Sequence, residues 1–230
     1  MKLFQFLGFL SVLLTLAAAG CKSASTIVSN AQFRVMNASV EQPSLNFLLT
    51  TTTLATALAY PTATAYNSEA PGPYTVHVEP AGTTTTLINQ GLVLQPATSY
   101  TFIAAEAGFA SPALTPILLT DDNSAPTSGQ MKLRVVNASP DVGNLDVYVV
   151  SPGKSIQNIN PTFTNLAFQS ASSYQNLVPG NYELFFTPPN NPNKILIDSG
   201  VLSFSAGQIR TVVALDSTGG YTSSTLDDVN

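Results

Sequence analysis

Phe33-Arg34-Val35-Met36-Asn37-Ala38-Ser39 and Leu133-Arg134-Val135-Val136-Asn137-Ala138-Ser139 are one stretch written twice. They lie 133 − 33 = 100 residues apart and agree at five of seven positions. Each is a β-rich run closed by Asn-Ala-Ser, a turn-forming trio, and each reads as the first strand of a domain. Side chains alternate along a strand, so Phe33 and Val35, like Leu133 and Val135, share one face. That apolar face is expected between two sheets. Arg34 and Arg134 are expected outside, where truncating them would cost little, although Val136 sets an apolar residue on that outer face.

The repeat continues beyond this strand. Leu58-Ala59-Tyr60 corresponds to Leu166-Ala167-Phe168, Tyr66 to Tyr174, and Pro71-Gly72-Pro73-Tyr74 to Pro179-Gly180-Asn181-Tyr182. The shift there is 179 − 71 = 108, so the second copy carries an insertion of 108 − 100 = 8 residues. The turn-rich run Ser151-Pro152-Gly153-Lys154 is its natural place. Thr101-Phe102-Ile103-Ala104 matches Thr211-Val212-Val213-Ala214, and Asp121-Asp122 matches Asp227-Asp228. A duplication of this period means two domains rather than a solenoid of small units.

Between the markers, Leu145, Val147 and Val149 alternate with Asp146 and Tyr148, the period of a strand. Asn46–Thr50, Tyr74–Val78, Leu92–Leu94, Ser99–Ala104, Tyr182–Phe186, Ile195–Ile197, Val201–Phe204 and Ile209–Leu215 read the same way. No stretch after the leader shows a capped helical period. Roughly seven short strands per copy, separated by Pro, Gly and Asn turns, predict an all-β chain of two tandem immunoglobulin-like β-sandwich domains after a signal peptide. The boundaries read as signal peptide 1–20, tether 21–30, first domain 31–123, linker 124–129 and second domain 130–230.

The leader has Lys2 as a minimal positive end and an apolar run from Leu3 to Leu16, too short and too near the N-terminus for an ordinary spanning helix. Ala18-Ala19-Gly20-Cys21 follows, and it resembles a bacterial lipobox, although Ala18 stands where that signal usually has Leu. The resemblance implies that Cys21, the only cysteine of the chain, is lipid-modified and becomes the mature N-terminus. The alternative is ordinary secretion with cleavage after Ala19, which leaves Cys21 a free thiol. In the lipoproteins it resembles, Asp after the Cys retains the protein at the inner membrane. Lys22 stands there instead, which implies the outer membrane or cell surface. The nine residues from Lys22 to Asn30 would reach roughly 30 Å from that anchor.

With 44% hydrophobic and 9% charged residues the chain is too apolar for disorder. A net charge of −5 leaves no electrostatic footprint for nucleic acid. No pair of cysteines exists to staple either domain, so each copy is expected to hold its own core.

The second copy, through Leu133–Asp141, Leu145-Asp146-Val147-Tyr148-Val149, Leu166-Ala167-Phe168 and Pro179-Gly180-Asn181-Tyr182, resembles a bacterial domain of unknown function. That domain recurs, often in tandem, in exported and lipid-anchored proteins. The first copy departs from the pattern: Val40-Glu41 replaces Pro140-Asp141, and Asn46-Phe47-Leu48-Leu49 replaces Asp-Val-Tyr-Val. The resemblance implies a β fold and a surface location. It implies no activity.

The candidate chemical residues are few. His77, the only imidazole, alternates with Val76 and Val78 on a strand and has Phe185 as its counterpart, so it reads as a surface residue rather than a catalytic base. The pairs Asp121-Asp122 and Asp227-Asp228 offer oxygen ligands of the kind calcium takes, without a calcium-loop pattern, and read better as structural. Asp141 and Asp146 are the best pair for acid–base work; their counterparts are Glu41 and Asn46. Asn37 and Asn137 sit in glycosylation-type triplets and read better as turn residues. Tyr60, Tyr66, Tyr100, Phe168, Tyr174 and Tyr221 are either a stacking platform for sugars or packing residues. The sequence thus predicts a non-enzymatic surface lipoprotein with a structural or interaction role, without catalytic residues, cofactor or metal. Its expected partners are the membrane, through lipid on Cys21, and an envelope protein or glycan; the alternative is a carbohydrate- or matrix-binding adhesin module.

Overall fold

A computed structural model of the protein describes residues 29–108 and 112–229; the leader and Cys21 lie outside them. The described residues form sixteen strands in four four-stranded sheets. The first half contributes β1 (Ala31–Ala38), β2 (Ser44–Leu49), β3 (Thr52–Ala59), β4 (Asn67–Glu69), β5 (Gly72–Pro80), β6 (Ile88–Leu94), β7 (Ser99–Glu106) and β8 (Leu114–Asp121). The second contributes β9 (Met131–Asn137), β10 (Leu145–Val150), β11 (Phe163–Leu166), β12 (Gln175–Leu177), β13 (Gly180–Thr187), β14 (Ile197–Phe204), β15 (Ile209–Ser217) and β16 (Gly220–Val229).

The halves share one topology. The orders β4-β1-β7-β8 and β3-β2-β5-β6 in the first are repeated as β12-β9-β15-β16 and β11-β10-β13-β14 in the second. In each, the opening strand runs parallel to the seventh, which sets Arg34 opposite Thr101 and Arg134 opposite Thr211. All other pairings between strands are antiparallel. Each half is a two-sheet sandwich with its own core. Phe33, Val35, Phe47, Val76, Val78 and Phe102 fill the first. Leu133, Val135, Val147, Leu184, Phe186 and Val212 fill the second. The apolar face of each opening strand points inward, as its alternation predicts.

The opposite face does not meet solvent. Arg34 is 2% exposed and Arg134 3%, while Met36 and Val136 are fully buried. The cause is a third core. Met36, Ile103, Ile117 and Leu119 from β1, β7 and β8 pack against Val136, Val213, Leu215 and Leu226 from β9, β15 and β16. The two sheets that hold the opening strands therefore face each other. The molecule is four sheets deep, and its two inner sheets are buried on both sides.

That arrangement explains where strand reading falls short. β16 is Gly-Tyr-Thr-Ser-Ser-Thr-Leu-Asp-Asp-Val, without apolar alternation, yet it buries Leu226 and Asp228 against the other half. Ile195–Ile197 and Val201–Phe204 are not two strands; β14 runs from Ile197 through Gly200, whose φ is 65°, beside a register shift in its partner β13. The insertion lies where the turn residues put it. Two residues, Thr50 and Thr51, join β2 to β3, whereas residues 151–162 join β10 to β11. The longer loop lays Ile156 over Tyr148 and Val150 on the outer face of β10.

Candidate functional site

The polar residues that recur in both halves converge on the shared interface. Arg34 Nε donates to Thr101 Oγ1 at 2.8 Å, and that hydroxyl donates to Asp121 Oδ2 at 2.6 Å. Asp121 Oδ1 accepts from Arg134 Nη2 at 2.6 Å, and Arg134 Nε donates to Thr211 Oγ1 at 3.1 Å. Thr211 donates to Asp228 Oδ2 at 2.6 Å, and Asp228 Oδ1 accepts from Arg34 Nη2. The six side chains close a ring in which every charge is met by its opposite from the other half. Thr101 and Thr211 are fully buried, and Asp121 and Asp228 are 6% and 5% exposed.

Two tyrosines roof the ring. The guanidinium of Arg34 lies 4.5 Å from the ring centre of Tyr66, and that of Arg134 lies 4.5 Å from Tyr174. Their hydroxyls donate to Asp121 Oδ2 at 2.7 Å and Asp228 Oδ2 at 2.9 Å. Burial, then the neighbouring aspartate, pushes both phenols well above their ordinary value. Burial works against the Arg34 charge, but Asp228, Tyr66 and Asp121 together outweigh it, and its pKa rises.

Both acidic pairs of the sequence are consumed here. Asp121 and Asp228 belong to the ring, while Asp122 pairs with Lys132 at 2.8 Å and Asp227 with Arg210 at 2.9 Å. Hydrogen bonds from Lys132 and then Ser124 hold the Asp122 carboxyl at about 2. The ring also corrects the alignment: the equivalent of Asp121 is Asp228, at a shift of 228 − 121 = 107, so the two pairs do not match residue for residue. Among the described residues no group of three or more His, Cys, Asp or Glu side chains is placed to hold a metal ion.

At the far end of the opening strands the turns do different work. Asn37 and Asn137 are fully buried. Asn37 Nδ2 donates to the carbonyls of Gln42 (2.9 Å) and Leu58 (3.1 Å), and Asn137 Nδ2 to those of Gly143 (2.8 Å) and Leu166 (3.1 Å). These amides lock the turns. Ser39 and Ser139 then donate to Glu106 Oε1 (3.2 Å) and Asp216 Oδ1. Glu106 and Asp216, with Glu41 and Asp141, line an open cleft of about 900 Å³ between the halves, beside Gly219, Gly220 and Tyr221. Burial first, opposed by the Ser139 hydroxyl and reinforced by Asp141 and Glu106, pushes the Asp216 carboxyl up to about 6.

The remaining candidates scatter. Asp146 does not lie on a polar face; it is 4% exposed and its two oxygens accept the backbone N–H groups of Asn165 and Asn190, each at 2.8 Å. Its outer-sheet position separates it from Asp141 at the cleft. His77 is half-buried on β5 of the other outer sheet, opposite Leu48 and Asn89. Of the six aromatic candidates, Tyr66 and Tyr174 roof the ring, Tyr60 and Phe168 pack on the shared core, and Tyr100 is 6% exposed. Tyr60 also donates to the carbonyl oxygen of Asp216, and burial, with Asp216 and Glu106, pushes its phenol up to about 12. Only Tyr221 lines the cleft. Thr101, Thr211, Glu106 and Asp216 were not singled out by the sequence; the signal available was a hydroxyl and an acid at matching places in both copies.

A family model described as "Domain of unknown function (DUF4397)" matches residues 31–148, which is 148 − 30 = 118 of 230 positions. No curated protein matches the chain. Among solved structures, it is similar to a family CBM26 module of Eubacterium rectale Amy13K in complex with maltoheptaose, at 12% identity and a TM-score of 0.28. That match covers 86% of this chain and 98% of the other. A second is a structure described as alpha-glucan binding by a streptococcal virulence factor, at 6% identity and a TM-score of 0.27, covering 84% and 96%. At those scores neither likeness carries an argument about ligand or activity.

Proposed function

The chain belongs to the DUF4397 family, and for this member we propose a non-catalytic role: a stiff two-sandwich unit displayed on the cell envelope from a lipid on Cys21. The observation that carries this reading is the fate of the recurring polar residues. Arg34 and Arg134 bond Asp228 and Asp121 across the interface, and Thr101, Thr211, Tyr66 and Tyr174 hold those four side chains from within each half, so the residues a duplication would preserve for chemistry serve to fix one half on the other. A rigid body on a short polar tether suits structural or interaction work at a membrane surface. Export, anchoring and placement at the outer membrane or cell surface rest on the leader and on Lys22 following Cys21. Cys21→Ser expressed in a bacterium should move the protein from the membrane fraction to the soluble one; a variant that stays with the membrane would overturn the anchor.

A second reading, a glycan- or envelope-protein-binding module, draws on the cleft, where the Tyr221 ring stands beside the carboxylates of Glu41 and Asp141. A glycan array on the full chain and on Tyr221→Ala separates the two readings. Binding lost in the variant would favour the module, and no binding by either chain would favour the structural role.

A further inference from the structure

The arginine contacts between the halves come in reciprocal pairs, whereas the bonds of Tyr60 to the Asp216 carbonyl, Gln169 to Thr115 and Ser224 to the Pro61 carbonyl are each made in one direction. Arg34 bonds Asp228 while Arg134 bonds Asp121. Arg34 Nη1 donates to the carbonyl of Asp227 at 2.9 Å, and Arg134 Nη1 donates to that of Thr120 at 3.2 Å, the residue before the aspartate in each case. The faces that supply these groups are the same strands of identically ordered sheets. Reciprocity of this kind defines an isologous interface, in which one patch meets its own copy across a two-fold axis. Here the two patches happen to be joined by a linker, residues 122–130.

A patch that meets its own copy needs nothing from that linker. Each half carries both members of the ion pair and the hydroxyl between them: Arg34, Asp121 and Thr101 on one, Arg134, Asp228 and Thr211 on the other. Each also carries its share of apolar surface, Met36, Ile103, Ile117 and Leu119 or Val136, Val213, Leu215 and Leu226. The apolar side chains are indifferent to which copy they meet, while the charges demand only that an arginine face the partner's aspartate. Two second halves laid together would make the Arg134–Asp228 contact twice.

We propose that the inner face of this protein is a self-recognising docking surface whose partner is the same face on a second copy of the chain. The tether between halves keeps the contact intramolecular when chains are dilute, because joining raises the local concentration of the partner face to about the millimolar range. Crowded chains exchange faces. The inference rests on the geometry of the interface and is independent of the anchor at Cys21.

The test uses the full chain with a protease site in place of residues 124–129, cut after folding. Native mass spectrometry of the cut protein, mixed with an isotope-labelled batch, reads who pairs with whom. Labelled and unlabelled halves should re-pair, and homodimers of the second half should appear beside the original pair. Halves that remain with their first partner, or that separate into monomers, would overturn the proposal. Arg34→Asp in the cut chain gives a second reading, because it opposes Asp228 with a like charge and leaves the second half untouched. Homodimers of the second half should then rise severalfold as the mixed pair falls; their absence would defeat the proposal even if the original pair survives cutting.

Discussion

The same two strands carry both ends of the domain interface, and the ends are built on opposite terms. Where β1 and β9 begin, two arginines, two aspartates and two threonines close a dry ring whose charges cancel. Just beyond the last residues of these strands, Glu41, Glu106, Asp141 and Asp216 line one open cleft, where Glu106 accepts from the Ser39 hydroxyl and the Glu41 backbone N–H and Asp216 accepts from the Ser139 hydroxyl. Between them lies the apolar core that drives the halves together. A buried ion pair contributes little net stability against an apolar equivalent, yet breaking one is expensive. The ring therefore fixes the register of a contact that apolar burial makes favourable. The cleft end, where like charges meet, must stay wet.

The strongest way to break the contrast is Arg134→Ala. It leaves Asp121 buried without its cation and takes a donor from Thr211, a loss of about 3–5 kcal/mol for a broken buried pair. Leu133→Ala, one residue away on the other face, opens a cavity in the second core for about 2–5 kcal/mol. The two losses are of similar size but differ in kind. In calorimetry of the full chain, Arg134→Ala should split one unfolding transition into two as the halves uncouple. Leu133→Ala should lower the second half's own transition. A near-neutral Arg134→Ala would mean that the ring is ornament.

The sequence made one of these residues legible and hid the other. Period-two alternation placed Leu133 and Val135 inward because a strand in a sandwich has one buried face, and that part of the fold could be read directly. Alternation is blind to a strand buried on both faces, where a polar side chain is satisfied by a residue far along the chain. Asp228 lies 194 positions from Arg34, and local spacing carries no trace of the pair. Val136 was the one local sign, since an apolar residue on a solvent face has no reason to be there. β16 was invisible for the same reason: its Ser/Thr run is covered by the other half rather than by its own sandwich. Recurrence of Tyr66 as Tyr174 did point to packing, but not to which cation each would cover.

Thr211→Val is the next test, and it leaves both ion pairs in place. It removes the hydroxyl that accepts from Arg134 Nε and donates to Asp228, at a cost of about 1–3 kcal/mol for buried polar groups left short of a partner. Thr101→Val should cost the same if the ring is as symmetric in energy as in geometry. Urea melts of both variants measure this, and a difference of more than about 1 kcal/mol would show that one half dominates the contact.

At the cleft end the lever is pH. Asp216 keeps its proton in the folded protein up to about pH 6, against a usual value of 3.8. Between those values the folded state binds the extra proton, so this group's contribution is complete below about pH 4 and is lost as pH climbs through 6. Asp216→Asn, which can still accept from Ser139, removes the titration. Relative to the natural chain it should gain about 1–2 kcal/mol between pH 4 and 7, a figure reduced for the water in the cleft. Thermal melts across that range read the difference, and a gap that stays flat would show that burial in the cleft does not raise the Asp216 carboxyl.

The smallest effect sharpens the comparison within a single strand. Asp227 and Asp228 are neighbours on β16 with the same charge, and alternation sends them to opposite sides. Asp228 is turned into the interface with a fully buried side chain, whereas the Asp227 side chain is 58% exposed and pairs with Arg210. Arg210 does not depend on that pair, because it also donates to the carbonyls of Val229 at 2.7 Å and Ile209 at 3.1 Å. The carbonyl of Asp227 that receives Arg34 belongs to the backbone and survives any change of side chain. Asp227→Asn should therefore cost no more than about 0.5–1 kcal/mol, as exposed pairs do, and that cost should vanish in 1 M salt. Asp228→Asn, which strands Arg34, should cost several times as much at either ionic strength, because salt does not screen a pair that water cannot reach. Equal losses from the two substitutions would mean that charge density on β16, rather than the geometry of the ring, holds the halves together.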